Sequence, residues 1–540
     1  MRTDVSQSPG ENASPPEAAR SGRLALGERP LMLRVTVVVA GSASLGAEMA
    51  ASRLLEPYFG TSLFVWANII GLILLYLTAG YYLGGRLADR YPDSRYLYLI
   101  TGVAAIGLIV IPFVSRPILL LSLNAFATYS IGAFLGSLLG TILLFIVPIT
   151  LLGCVSPYAI RLVVKHVEQA GNVSGGLYAL STVGSIVGTF LAVLVLIPTI
   201  GTARTLITFG LVLLVVSVAG LGKRWPWLCV FIGVVLLLLP PAVIKPEPGM
   251  ITEKESPYNF IQVINDHGTR LLLLNEGIAI HSVYNPSSHN NPNPLAHLTR
   301  AYWDYVLIAP YFNPLHPPNR INKATIIGMG AGTMAKELSY FYPGLPIDGV
   351  EIDPEIIAIG RKYFDLHEPN IRTIAQDGRY FLRTTHALYD LISIDAYHTP
   401  YIPFQLTTKE FFREVAHHLT PDGSVVINVG RTAKDFQLVD DIARTMSTDF
   451  RAVYLIDVPS PPGTLILNTL IVANNDPTSL SNLATHMKHL NNPVLRALGE
   501  EAIRHTAVYH PAPGLIFTDD HAPVEQVVDN MIIDYLRTGK

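Results

Sequence analysis

Gly328, Gly330 and Gly332 form a G-x-G-x-G directly after the apolar run "ATII". Such a loop lets the backbone approach a ligand closely, with the amino terminus of the next helix behind it. Glu351 ends the next apolar run about 20 residues on, where a carboxylate can accept both hydroxyls of a ribose. Two further runs also end on acids. "AQDGRYFL" carries Asp377 and Gly378, and "SIDAYHTPYIPF" carries Asp395. Ligands of open α/β sheets bind at the carboxyl edge of the strands, so four consecutive strand ends predict one site. A single acid there would read first as a helix N-cap; an ordered series of four does not reduce to capping. A glycine loop lacking a third glycine at G-x-x-G spacing, followed by acids at later strand ends, favours an adenosyl-sulfonium ligand over a dinucleotide. No serine elbow, Walker lysine or zinc-binding helix competes with that reading.

An edge of this kind requires an α/β sheet, and residues 324–364 supply strand, glycine loop, helix, strand, acid and helix in order. Before it, residues 258–285 alternate apolar and polar residues around Asp266-His267-Gly268 and Asn275-Glu276-Gly277. Turn residues between short alternating runs predict antiparallel strands, and a helix is expected over 297–311. The predicted organisation is a small antiparallel β domain over 250–315 and a Rossmann-like sheet of the S-adenosylmethionine-methyltransferase type over 316–540.

The first half is of another kind. The chain has 540 residues, of which 50% are hydrophobic and 15% charged, against about 25% charged in soluble proteins. Residues 1–30 are rich in Pro, Ser, Ala and Glu and are expected to be a disordered tail. Residues 31–245 then read as a multi-pass helical membrane domain. Apolar runs of roughly the 20 residues that span a bilayer fall at 32–53, 63–85, 96–114, 129–153, 178–198, 204–221 and 226–243. "PILLLSLNAFATYSIG" is a candidate eighth, short or re-entrant helix. Gly132, Gly136 and Gly140, and again Gly184 and Gly188, have the spacing that lets membrane helices pack backbone to backbone. Glu48 and Arg53 are ionisable groups near the end of the first span, either functional or snorkelling to the interface.

Arg20, Arg23, Arg29 and Arg34, with Arg86, Arg90 and Arg95, place those segments in the cytoplasm. Seven strict spans would then leave the carboxyl-terminal domain outside, whereas its expected ligand is cytosolic; an eighth span or re-entrant element would reconcile the two. The net charge of −3 and the lack of a basic stripe give no sign of nucleic-acid binding. Cys154 and Cys229 are too few and too far apart for a disulfide framework or cysteine metal site. His486 and His489 have no third ligand at useful spacing, so no metal is expected.

The motifs "IIGMGAGT", "VEIDPEII", "AQDGRYFL" and "YDLISIDAYHTPYIPFQLTTKEFF" resemble the spermidine synthase family of polyamine aminopropyltransferases in its membrane-fused form. The similarity covers roughly residues 255–430, and "FTDDHAPVEQVV" is similar to membrane-fused members. The resemblance implies transfer of an aminopropyl group from decarboxylated S-adenosylmethionine to putrescine or a related polyamine, with release of methylthioadenosine. That nucleoside would be a co-substrate, with no permanently bound cofactor. It further implies a homodimer in the cell membrane with a cytoplasmic catalytic domain. Glu351 would hold the ribose, Asp377 and Gly378 the adenine, and Asp395 would be the base.

Where the family's glycine loop has an aspartate this chain has Ala331, and where a second acid follows the catalytic aspartate it has His398. His281 (or Ile280) and Trp303 occupy the places of the usual glutamine and histidine. With Tyr397 and His398, His281 and Trp303 make up the expected acceptor-binding set. Asp519, Asp520 and Glu525 are candidate tail acids or caps. Two other readings remain at this level. One is a methyltransferase using intact S-adenosylmethionine; the other is a transporter with a nucleoside-binding sensor domain, since "GGRLADR" is similar to a loop of major-facilitator carriers.

Overall fold

A computed structural model of the chain describes residues 30–60, 63–126, 132–164, 167, 170–239, 243–275, 277, 279–317, 319–398, 400–461, 464, 466–476 and 481–538. The tail expected to be disordered lies outside the described residues, apart from Pro30.

The first half is helical: α1 (Pro30–Phe59), α2 (Leu63–Arg90), α3 (Ser94–Phe126), α4 (Gly132–Gly153), α5 (Val155–Val163), α6 (Ala170–Leu191), α7 (Ile197–Leu221) and α8 (Trp227–Leu238). Among the described residues, five stretches are long and apolar enough to cross a membrane, the last being Ala170–Leu221. That stretch breaks at Gly201, with φ 82° and ψ 166°, inside α7: residues 197–200 continue the run of α6, and the arm that turns back begins at Thr202. A Cβ at Gly184 would stand 2.1 Å from the carbonyl oxygen of Val38, and one at Gly188 2.1 Å from that of Ser42. Helix α6 therefore runs parallel to α1 at backbone contact, as the small-residue spacing predicts. Helix α7 turns back along α3, with Gly210 against Ala105 and Gly220 against Tyr98. A separate helix at "PILLLSLNAFATYSIG" is not formed: residues 117–126 continue α3 despite Pro117, and residues 127–131 lie outside the described set. A membrane helix tolerates proline where neighbouring groups satisfy the freed backbone.

The second half docks where α1 ends. Arg53 donates to the Pro257 carbonyl, and the Tyr58 hydroxyl donates to that of Ile244 at 2.7 Å. From there the 28 residues of α2 carry the chain roughly 40 Å at 1.5 Å per residue. At that opposite end Arg161 pairs with Asp89 at 2.8 Å. Arg86, Arg90, Arg95, Lys223 and Arg224 thus gather at the end away from the second half.

Strands β1 (Met250–Glu255), β2 (Phe260–Asp266), β3 (Thr269–Leu274) and β4 (Ile280–Tyr284) form an antiparallel sheet in chain order. The β2–β3 turn has His267 at φ 49° and Gly268 at φ 91°, the two positive values of a tight hairpin turn. Helix α9 (Tyr302–Val306) follows. Residues 302–312, expected with the small β domain, pack instead into the core of the larger sheet: Trp303, Tyr311 and Phe312 lie with Ile326, Tyr454 and Leu470.

The larger unit runs β5 (Ala324–Ile327), α10 (Thr333–Phe341), β6 (Ile347–Glu351), α11 (Pro354–Tyr363), β7 (Ile371–Ala375), α12 (Gly378–Thr384) and β8 (Tyr389–Ile394). It continues with α13 (Lys409–His417), β9 (Leu419–Arg431), α14 (Gln437–Met446), β10 (Ala452–Asp457) and β11 (Leu467–Asn474). It ends with α15 (Ser481–His489), α16 (Pro493–Arg504), β12 (Thr506–Val508) and α17 (Val524–Thr538). The eight strands lie in the order β12-β10-β11-β9-β8-β5-β6-β7. Strands β7, β6, β5, β8 and β9 are parallel, and β11 is antiparallel to β9. This is the expected Rossmann-like, methyltransferase-type sheet. Chain order reverses on either side of β5, which puts a crevice at the carboxyl ends of β5 and β8.

Candidate active site

The glycine loop is shaped by need at that crevice. Gly328 has φ 83°, and a Cβ there would lie 2.6 Å from backbone atoms of Ala396 and Asp395. Gly330 has φ 59°, and the bend aims its N–H at Glu351 Oε2, 2.9 Å away. Glu351 Oε1 accepts from the Asp353 N–H at 3.1 Å. Burial raises the Glu351 carboxyl to about 7 against these stabilising bonds. Asp377 does two things. It caps α12, accepting from the Tyr380 N–H at 2.8 Å, and it also lines the cavity described below.

Asp395 follows the last residue of β8 and is held by three donors. Its Oδ2 accepts from the Tyr302 hydroxyl at 2.9 Å and from Trp303 Nε1 at 3.1 Å; its Oδ1 accepts from Asn428 Nδ2 at 3.0 Å. Burial raises its carboxyl to about 6, and the three hydrogen bonds limit the rise. A carboxylate so placed is a fixed base with basicity above that of a solvated aspartate.

One cavity of about 720 Å³ joins these groups. Gly328, Gly330, Glu351, Asp377, Gly378, Asp395, His281, Tyr397 and His398 all line it. Two predicted residues do not. Gly332 begins α10 at φ 101° and faces Leu366. Trp303 is 4% exposed and stands behind Asp395 as a donor to it, not as a wall of the acceptor space. Tyr397 has its hydroxyl tied to β9, donating to the Asn428 carbonyl at 3.0 Å and accepting from the Gly430 N–H at 2.9 Å. Burial, followed by the neighbouring His398, lowers His281 to about 4. Burial, followed by the Arg53 charge, lowers His398 too, so both rings are neutral at pH 7. Ala331 is fully buried and packs with Ile261 and Ile356 of the β sheet and α11, which turns that position away from the cavity. Of the tail acids, Glu525 lines the cavity. Asp519 pairs with Arg379 at 2.7 Å and accepts from Thr408 at 2.7 Å.

The remaining wall comes from the apolar helical half. Met49, Ser52, Arg53 and Glu56 of α1, Trp66 and Ile69 of α2, and Ile197 of α7 line the same cavity. Sequence reasoning missed this, together with Tyr302 and Asn428. Arg53 stood out as an ionisable group in a span; Glu56, three residues on, carried the same signal and was passed over.

Residues 313–481 match the family model "Spermine/spermidine synthase domain". Over 308 residues the chain is 32% identical to a probable polyamine aminopropyl transferase of Bifidobacterium longum, covering 53% of this chain and 65% of that protein. It is 32% identical over 181 residues to the polyamine aminopropyltransferase of Vibrio vulnificus, covering 32% of this chain and 58% of that one. The chain thus spans less than two thirds of the length of either relative. Among solved structures, it is similar to a probable spermidine synthase from Corynebacterium glutamicum at 20% identity. That alignment covers 50% of this chain and 99% of the other, with a TM-score of 0.37. A spermidine synthase in complex with the transition-state analogue AdoDATO aligns at 18% identity over 47% and 83% of the two chains, with a TM-score of 0.35. The segment that matches this family model, residues 313–481, supplies Gly328, Gly330, Glu351, Asp377, Gly378, Asp395, Tyr397 and His398 of the cavity wall.

Proposed function

We propose that the protein is a membrane-bound polyamine aminopropyltransferase, using decarboxylated S-adenosylmethionine as co-substrate and putrescine or a related amine as acceptor. The observation that carries this is Asp395, a base raised to about 6 at the same cavity edge as Glu351 and Asp377. The acceptor is an ammonium at neutral pH and cannot attack until it loses a proton. Asp395 takes that proton. The freed amine attacks the aminopropyl carbon beside the sulfonium, a C–N bond forms, and the C–S bond breaks. Its electron pair passes to sulfur, leaving neutral methylthioadenosine, while the product nitrogen keeps the positive charge. Raising the base from 3.8 to about 6 narrows its mismatch with the amine by about 3 kcal/mol. In this reading Glu351 holds the ribose, Asp377 and Gly378 face the adenine, and the glycine loop supplies close backbone approach.

In this reading the protein is a homodimer in the cell membrane with its catalytic domain on the cytoplasmic side, the side its expected cytosolic nucleoside calls for. The gathering of Arg86, Arg90, Arg95, Lys223 and Arg224 at the far end of the bundle favours the opposite orientation. Labelling single cysteines placed at either end in intact cells distinguishes the two, and cross-linking in detergent tests the dimer. The function itself is tested with the purified full chain in detergent, labelled decarboxylated S-adenosylmethionine and a panel of amines. Methylthioadenosine should be released, and Asp395→Asn should abolish the release. No methylthioadenosine from any amine overturns the reading; methyl transfer from intact S-adenosylmethionine replaces it with the methyltransferase.

A further inference from the structure

Among the described residues, the cavity carries five carboxylates, Glu56, Glu351, Asp377, Asp395 and Glu525, against one guanidinium, Arg53. Four of the five are already occupied or solvated. Glu351 accepts two backbone N–H groups, Asp377 caps α12 and Asp395 has three donors. Glu525 is exposed. Glu56 differs from all of them. It is 3% exposed, its Oε2 accepts from Arg53 Nη1 at 3.0 Å, and its Oε1 has no hydrogen-bond partner. A buried carboxylate oxygen without a donor is costly, and the cost is removed when a donor arrives.

Arg53 cannot readily turn to satisfy it, because its other terminal nitrogen donates to the Pro257 carbonyl and ties α1 to the β sheet. A primary ammonium carries three donors and a positive charge. Trp66, Ile69 and Ile197, which line the same cavity as Glu56, offer apolar surface to a methylene chain. We propose that Glu56, on membrane helix α1, binds the distal ammonium of a diamine or polyamine acceptor whose reacting amine lies at Asp395. The membrane domain is then part of the acceptor site and selects for acceptors with two cationic ends. This rests on the aminopropyltransferase reading.

The test compares a diamine with a monoamine of equal chain length, using the full chain in detergent. Glu56→Gln keeps the side-chain volume and removes the charge. Loss of one charge-assisted contact should raise KM for the diamine roughly 10- to 100-fold. The change in kcat should stay within about 3-fold, with nucleoside Kd and monoamine KM unmoved. A purely structural role would change both amines alike, and that result overturns the proposal. Glu56→Asp retains the charge one methylene further back and should shift preference toward a longer diamine; an unchanged length preference also overturns it. A wild-type chain inactive with every amine removes the proposed function, whereas an active wild type matched by Glu56→Gln removes this inference alone.

Discussion

Tyr302→Phe deletes one oxygen, the hydroxyl that donates to Asp395 Oδ2 at 2.9 Å, and leaves the ring in place. In the wild type, burial raises the aspartate from 3.8 to about 6 while three hydrogen bonds hold it down. That net rise of about 2 units corresponds to about 3 kcal/mol. A hydrogen bond to a charged group contributes about 1.5 kcal/mol or more, so losing one should raise the carboxyl by about one further unit. The acid limb of kcat/KM, read from methylthioadenosine release between pH 5 and 9, should move from about 6 to about 7. Activity at pH 8.5 should change little, because the base is ionised there in both proteins.

The same shift makes a stability statement. The folded-state value lies above the unfolded one, so ionising Asp395 costs the folded protein. Its contribution falls by about 3 kcal/mol as pH rises from about 4 to about 6. In Tyr302→Phe the decline should continue to about 7. A wild-type acid limb near 4, or a variant limb that stays put or moves down, would refute the argument that burial sets this base and Tyr302 tempers it.

Asp395→Asn should abolish turnover yet melt no lower than wild type at pH 8, since it removes a buried charge; Asn428 Oδ1, unpartnered here, can accept from the new amide. Gly328→Ala places a Cβ 2.6 Å from the Ala396 backbone at φ 83°, so it should lower Tm and weaken nucleoside binding in calorimetry; unchanged binding would contradict the loop assignment. Asp519→Asn breaks the pair with Arg379, whose side chain is 8% exposed, and should cost roughly 1–3 kcal/mol with KM unmoved. Glu255 caps α7 by accepting from the Thr202 N–H at 2.7 Å, and burial raises it to about 7. It is neutral at pH 5 and ionised by pH 8, so wild-type Tm should fall across that interval through this group, and Glu255→Gln should flatten the fall.

Much of the α/β fold was legible because its rules are local. Alternation marks β2 and β3, the His267-Gly268 pair sets their turn, and a glycine loop with three strand-end acids marks the edge of a parallel sheet. The small-residue spacing at Gly184 and Gly188 announced close packing, although not that α1 would be the partner. The continuation of α3 through Pro117 was not legible, since a proline marks a boundary in the sequence but only the surrounding helices decide whether the turn survives.

The amino-acid sequence by itself determined that apolar spans precede an α/β sheet with a nucleoside-type edge, and that Asp395 ends a central strand. Periodicity and turn chemistry act over a few residues, and those are enough for such elements. The tertiary structure alone decided what surrounds Asp395. Tyr302 and Trp303 reach it from 93 and 92 residues away and Asn428 from 33. It also decided that α1, a long apolar helix of the first half, walls the cavity. Arg53 meets the Pro257 carbonyl across 204 residues of chain, a contact made by packing that no local pattern encodes.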